Sequence, residues 1–318
     1  MKGAILAPDD ELPWVDAPPP WPARRVSIDG AMLQVRDTPG TSPNAEPALY
    51  VHGLGGSSQN YTDLAGLLAH RFDGQALDLP GFGYSDPTRR YSLPSFAGTV
   101  IGYLEHAGGG PVHLIGNSLG GSIAVRVAGL RPDLVRTLTL ISPAMPFLDP
   151  RRTAQGPVLP LLALPRAERL FAWGMARMTV DEMAGQVLAA CFGDTSRVLP
   201  QRRAEAIEEI KLRYTVAHYP KAYLATLRGL VSSFVRAYLP GMNSQWRIAA
   251  RIQAPTLVIG GLSDRLVDSR VPAQVAKVIP DSRLLILPGV GHVAQMEVPR
   301  VVAQAIVGML NEAGSPVA

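Results

Sequence analysis

The sequence of 318 residues holds one cysteine, Cys191, so no intrachain disulfide can staple the fold, and such sparing use suits a reducing compartment. Cys191 follows Ala189-Ala190 in a segment that reads as helix, which makes it a small buried apolar residue. No group of His, Cys, Asp and Glu carries metal-ligand spacing, and neither a metal nor a cofactor is expected. No run approaches 18 uninterrupted apolar residues, which argues against a membrane-spanning helix. The apolar stretch within Met1 to Glu11 is too short for a secretion signal and acids follow it at once, so a cytoplasmic protein is expected. Lysine is scarce, with 4 Lys against 26 Arg, and no basic run alternates with aromatic residues in the manner of a nucleic-acid surface. The net charge of +4 is unevenly placed: residues 145–250 hold 14 Lys/Arg against 8 Asp/Glu, or +6, leaving −2 for the remainder. That basic segment reads as a solvated helical surface; attraction of anionic lipid or of a substrate carboxylate is the competing reading.

What is present is a chain 47% hydrophobic and 18% charged, long enough for one large domain or for a domain with a sizeable insertion. Residues 1–23, rich in proline and acid, form an arm expected to pack over the domain or to stay partly disordered. Residues 24–28 and 31–36 flank Asp29-Gly30, a strong hairpin signal. Strands are then expected near 47–52, 74–78, 111–116, 136–142, 255–260 and 282–287. Helices are expected over 93–107, 119–130, 270–279 and 299–312, with Ser92 or Ser95 starting the first. This alternation is that of a parallel α/β sheet. It breaks between 145 and 247, which reads as helical. Ala167, Leu170, Phe171, Gly174, Met175 and Met178 form one apolar stripe, and Lys221 to Leu239 another amphipathic stretch.

Gly116-Asn117-Ser118-Leu119-Gly120 lies between an apolar run, Val112 to Ile115, and a helical segment. A G-x-S-x-G segment in that setting is a nucleophile elbow: the chain turns sharply and the serine is lifted out of the sheet. Downstream, Pro255 to Gly261 empties into a glycine turn and Asp264, and Arg283 to Leu287 empties into Pro288-Gly289-Val290-Gly291-His292. Both groups fall at the C-terminal ends of strands, the edge at which open α/β sheets bind ligands. Upstream, the run ending at His52 enters Gly53-Leu54-Gly55-Gly56, whose backbone N–H groups can receive an oxyanion together with that of Leu119; Leu54 is the expected second donor.

These segments, with the Asp78-Leu79-Pro80-Gly81-Phe82-Gly83-Tyr84-Ser85 turn, resemble the α/β-hydrolase family in kind and order, over nearly the whole chain. The resemblance implies an α/β fold with a mostly parallel eight-stranded sheet. It makes Ser118 the nucleophile, Asp264 the acid and His292 the base. It divides the chain into the arm (1–23), a first part of the core (24–144), an inserted helical cap (145–247) and a second part of the core (248–314). Other residues compete for these roles. Asp268 reads as a cap of the helix near Ser269-Arg270, and for the acid that some relatives carry after the sixth strand Asp149 is the nearest candidate, several residues late. His113 lies inside a strand, His52 organises its loop, and His70, His106 and His218 read as surface residues.

The cap is apolar, through Val158 to Leu164 and through Phe171, Trp173, Met175, Met178, Met183 and Phe192. Most of these residues read as the cap's own core, and its inner face as the wall of an apolar pocket. The expected substrate is a hydrophobic carboxylic ester, and an imidazole base predicts activity that falls in acid. Gly-Asn-Ser at the elbow also resembles the family's meta-cleavage-product hydrolases, which cleave C–C bonds in substrates bearing carboxylates. A serine at 118 speaks against the epoxide hydrolases and haloalkane dehalogenases, which use aspartate there. A cofactor-free haloperoxidase-like enzyme and a non-catalytic ligand-binding member are the remaining readings. The Val158–Pro165 segment also suggests peripheral contact with a lipid surface. Nothing in the sequence speaks to oligomeric state.

Overall fold

The computed structural model describes residues 1–147, 166–239 and 244–314. Strands β2 (Ala23–Ile28) and β3 (Ala31–Thr38) form the hairpin, and its two-residue turn takes positive φ at both positions, 49° at Asp29 and 81° at Gly30. Such a turn matches the right-handed twist of the strands it joins. The apolar runs become β4 (Glu46–Val51), β5 (Phe72–Leu77), β6 (Val112–Asn117), β7 (Val135–Ile141), β8 (Thr256–Gly261) and β9 (Ser282–Leu287). With β1 (Lys2–Gly3) at one edge, the order across the sheet is β1-β9-β8-β7-β6-β4-β5-β3-β2. Pairing is parallel from β1 to β5 and antiparallel where β3 joins β5 and β2 joins β3.

Among the described residues the sheet therefore has nine strands instead of the expected eight. The additional strand, β1 (Lys2–Gly3), comes from the arm and pairs with Arg283 and Leu284 of β9. Two residues carry no apolar period, so nothing local announces them; β9 offers an open edge and the arm takes it. The rest of the arm is tied to the domain at separate points, with Trp14 left exposed. Ala7 N–H donates to the Gln304 carbonyl (3.0 Å), Arg300 Nε donates to Asp9 Oδ1 (2.6 Å), and Trp21 Nε1 donates to the Thr62 carbonyl (2.9 Å).

Helices cover both faces. Alternate residues of β4 part company: Leu49 and Val51 join Val100, Ile123 and Val275 in one core, while Ala48 and Tyr50 join Leu64, Val302 and Ile306 in the other. The first core thus lies under α2 (Leu93–His106), α3 (Leu119–Leu130) and α9 (Val271–Val278), and the second under α1 (Thr62–Leu68) and α11 (Pro299–Glu312). Burial on both sides is why the strands read as apolar runs without alternation. Ser92 caps α2, its side chain accepting the Ser95 N–H.

Between β7 and β8 run α4 (Ala167–Met175), α5 (Val180–Cys191), α6 (Pro200–Thr215) and α7 (Tyr219–Arg236), then the short α8 (Gln245–Ala249). A further short helix, α10 (Ala294–Glu297), precedes α11. The α4 stripe holds in part. Ala167 and Met175 are buried and Phe171 stacks on Tyr223, but Leu170 is exposed. Trp173 is exposed as well, with the Arg177 guanidinium 3.5 Å over its ring. Asp149 and the Val158–Pro165 segment lie outside the described residues.

Candidate active site

The chain leaves β6 at Asn117 and enters α3 at Leu119, so Ser118 alone makes the turn, with φ 55° and ψ −117°. A side chain held at positive φ costs about 1–3 kcal/mol and persists only where its surroundings enforce it. Here the Ser118 N–H donates to the Ile141 carbonyl (3.0 Å), and the Ser118 carbonyl accepts from Ser122 (3.1 Å) and Ala144 (3.0 Å). Gly120 completes the turn, since a Cβ there would overlap the Val51 carbonyl oxygen.

Asp264 and His292 come together from the loops after β8 and β9. His292 Nδ1 lies 2.9 Å from Asp264 Oδ2 and 3.1 Å from Oδ1, and the side chains are 5% and 2% exposed. Asp264 Oδ1 also accepts the N–H groups of Leu266 (2.8 Å) and Val267 (2.9 Å). Burial pushes the Asp264 carboxyl up, but the neighbouring His292 and the two amides outweigh it and hold the group below the ordinary carboxylate range. An ionised Asp264 accepts the Nδ1 proton of His292, which leaves Nε2 with a free lone pair. The backbone of His292 is held at both ends: its N–H donates to the Cys191 carbonyl (2.7 Å), and its carbonyl accepts from Asn117 Nδ2 (3.0 Å).

The loop after β4 lies against Ser118: a Cβ on Gly53 would stand 3.0 Å from that of Ser118. His52 spends both ring nitrogens on the backbone. Nε2 accepts the Leu79 N–H (2.9 Å), so Nδ1 carries the proton and donates it to the Gly53 carbonyl (2.7 Å). Burial pushes the His52 pKa down, consistent with that neutral tautomer. The Gly53 carbonyl also accepts the Gly56 N–H (3.1 Å). In a trans peptide, C=O and the next N–H point opposite ways. Two donors on the Gly53 oxygen therefore fix the direction of the Leu54 N–H.

The competing residues are accounted for by other partners. Asp268 binds the Arg270 N–H and guanidinium at the entry to α9, which begins at Val271 and has no side-chain cap at Arg270. Asp78 Oδ1 accepts the Ser58 N–H and its Oδ2 that of Tyr84, tying two loops together. His113 contacts Thr137 Oγ1 and Glu46 Oε2 and stacks on Phe72, while His106 is exposed. Burial pushes the Cys191 thiol up to about 12, far from a thiolate.

Three contributors were not visible in the sequence: Tyr219, Tyr223 and Glu297. The tyrosines stand over the glycine loop, where a Cβ on Gly55 would lie 3.2 Å from Tyr219 Oη and from the Tyr223 ring. They continue an aromatic wall, Tyr219 edge-on to Phe82 (6.3 Å between centroids) and Tyr223 stacked on Phe171 (5.1 Å). Asn117 Nδ2 is committed to the carbonyls of Ile141 and His292, which gives the Asn of Gly-Asn-Ser a local structural reason. Over the glycine loop a cavity of about 10 Å³, room for one water, touches Arg213 and Tyr219. A larger one, about 290 Å³, lies under the arm beside Trp14, Phe192, Arg202 and Met296, and none of Ser118, Asp264 and His292 lines it.

Residues 47–299 match the family model described as alpha/beta hydrolase fold. A 2-(acetamidomethylene)succinate hydrolase of Mesorhizobium japonicum is 26% identical over 301 residues, covering 91% of this chain and 95% of that protein. A 2-hydroxymuconate semialdehyde hydrolase of Pseudomonas putida is 27% identical over 281 residues, 84% and 88% of the two chains. Among solved structures, a bacterial membrane phospholipase A shares the fold with a TM-score of 0.74 at 23% identity, over 93% of this chain and 88% of that one. A meta-cleavage product hydrolase from Pseudomonas fluorescens does so with a TM-score of 0.71 at 18% identity, over 92% and 98%. With the greater part of its length matched by one family model, this chain belongs to the α/β-hydrolase fold family.

Proposed function

We propose that this hydrolase is a serine enzyme that cleaves a carboxylic ester with a hydrophobic portion through an acyl-enzyme. The observation that carries the reading is the buried Asp264–His292 pair, set at the same sheet edge as the strained Ser118 turn. His292 Nε2 takes the Ser118 hydroxyl proton as Oγ attacks the carbonyl carbon. Asp264 holds the imidazole tautomer and balances the imidazolium. The oxyanion is received by the N–H groups of Leu54 and Leu119. The first is aimed by the fixed Gly53 peptide, and the second lies in the first turn of α3, at the positive end of the helix dipole. The alcohol leaves with the proton from His292, and water, deprotonated by the same nitrogen, resolves the acyl-enzyme.

In this reading helices α4 to α7 belong to a cap over residues 145–247, and the aromatic wall of Phe82, Tyr219, Tyr223 and Phe171 receives the hydrophobic group. The exposed Leu170 and Trp173 on α4 support contact with a lipid surface from the outer side of that cap.

A second reading, C–C cleavage in a substrate bearing a carboxylate, draws on Arg213. Its guanidinium lies 5.7 Å over the Tyr219 ring beside the glycine loop, 3.5 Å from Glu209. The Mesorhizobium relative is named for a succinate derivative, and the P. putida relative for 2-hydroxymuconate semialdehyde.

The test is hydrolysis of p-nitrophenyl esters with acyl chains of about two to sixteen carbons, beside Ser118→Ala, whose kcat should fall by about 10⁴-fold or more. Turnover peaking at one chain length establishes the esterase. Turnover of a vinylogous diketone in place of the esters selects the second reading, and tight saturable binding with negligible turnover selects a ligand-binding protein.

A further inference from the structure

Glu297 lies five residues after His292 at the end of α10, and its side chain is 0% exposed. Its carboxylate gathers groups from two separate stretches of chain. Oε2 accepts the N–H of Gly291 (2.8 Å), the residue before His292, and the N–H of Gly193 (2.9 Å), just beyond α5. Oε1 accepts the Asp194 N–H (3.0 Å) and faces Arg197 Nη1 at 3.1 Å. The same two stretches meet again where the His292 N–H donates to the Cys191 carbonyl (2.7 Å). Their backbones are in direct contact. A Cβ on Gly193 would fall 2.7 Å from the Gly289 carbonyl oxygen, and one on Gly291 would overlap the Cys191 carbonyl. Phe192 is buried between them with Leu188 and Val293.

A buried carboxylate is expensive unless charge-assisted hydrogen bonds replace its water, and here three amides and a guanidinium do so. Glutamine cannot substitute: its NH₂ would face N–H donors, and only one oxygen would remain to accept. The position is therefore specific for a carboxylate. What the carboxylate holds is the seam between the loop of His292 and the end of α5.

We infer that Glu297 is a positioning residue, which sets His292 by locking its loop to the end of α5, so that the base takes its place from the helical segment as well as from the sheet. The inference rests on the serine-hydrolase reading. An anchor that serves stability alone would lower the melting temperature and leave the chemistry of folded molecules untouched. A positioning group changes the chemistry, because a displacement of about 1 Å in a catalytic group costs up to about 100-fold in rate.

The experiment is steady-state kinetics of full-length Glu297→Gln on the best p-nitrophenyl ester. Rates are expressed per active site, counted by titration with a phosphonate ester that reacts with the nucleophilic serine. Gly193→Ala, which pries the seam open from the α5 side, is the second variant, should Glu297→Gln fail to fold. Arg197→Ala, which removes one ligand and leaves three amides, is the mild control. Expected is a fall in kcat per titrated site of about 10- to 100-fold in Glu297→Gln and in Gly193→Ala, with KM changed by less than about threefold, and a fall under about threefold in Arg197→Ala. A kcat per site within about twofold of the unsubstituted enzyme in either folded variant, whatever the loss in melting temperature, overturns the inference alone. Retained turnover in Ser118→Ala overturns the serine reading and this inference with it.

Discussion

Asp264 and Asp268 stand four residues apart in the same loop, and the structure gives them unlike surroundings. Asp268 answers a neighbouring arginine and amide; Asp264 is turned inward onto His292. Asp264→Asn keeps the volume and offers Nδ1 a mismatched partner, so kcat should fall by about 10⁴-fold while the far-ultraviolet spectrum stays that of a folded protein. Normal turnover in that variant would move the acid elsewhere. At this scale the sequence was enough to set Ser118, Asp264 and His292 just past the apolar runs that become β6, β8 and β9. Tyr219, Tyr223 and Glu297 were not readable because their partners lie far along the chain. Glu297 answers Gly193, about a hundred residues away, and nothing in Met296-Glu297-Val298 announces a buried carboxylate.

Among elements, the expected strands of the hairpin and of the parallel sheet and the four helices expected over 93–107, 119–130, 270–279 and 299–312 lie within two residues of their expected bounds, whereas the stretch expected to end at Leu239 stops at Arg236. Two of the elements that went unannounced, β1 with two residues and α10 with four, are too short to express a period. The α4 stripe misplaced Leu170 because periodicity names a face and tertiary packing decides how wide it is. The elbow of β6 and α3 is an unforgiving junction, since α3 crosses the end of β4 backbone to side-chain-free backbone. Gly120→Ala drives a methyl group into the Val51 carbonyl, and the expected loss is about 3 kcal/mol or more of unfolding free energy, read as a lower urea midpoint at unchanged m. A midpoint within error of the parent would mean that β4 and α3 can part without cost.

The whole molecule should carry a characteristic dependence on pH. Burial pushes His52 and His113 below the ordinary value of 6.5, against the pull of Glu46 in the second case. Below that value the unfolded chain takes up protons that these two rings refuse, so folding stability declines as pH falls through about 6.5. Each ring contributes a slope of up to about 1.4 kcal/mol per pH unit. Urea midpoints measured from pH 7.5 to 5 should therefore drop, and His113→Gln should flatten the slope; an equal slope in that variant would assign the effect to other groups. Asp264 acts in the same sense at lower pH, its depressed carboxyl losing its contribution as the unfolded carboxylates near 3.8 protonate.

The arm has a consequence for solubility. A parallel sheet that ends on β9 would present a row of unpaired amides and carbonyls, a template on which a second molecule could extend the sheet. Lys2 and Gly3 occupy part of that row, and Ala4 donates a further N–H to the Leu284 carbonyl (3.0 Å). Two short residues, one of them charged, terminate the sheet without offering an attractive edge of their own. Removal of residues 1–8 should leave the loops of Ser118, Asp264 and His292 in place and turn β9 into a site of self-association, seen as light scattering that rises with protein concentration while kcat per site is unchanged. A monodisperse truncated protein would show that β9 guards its own edge.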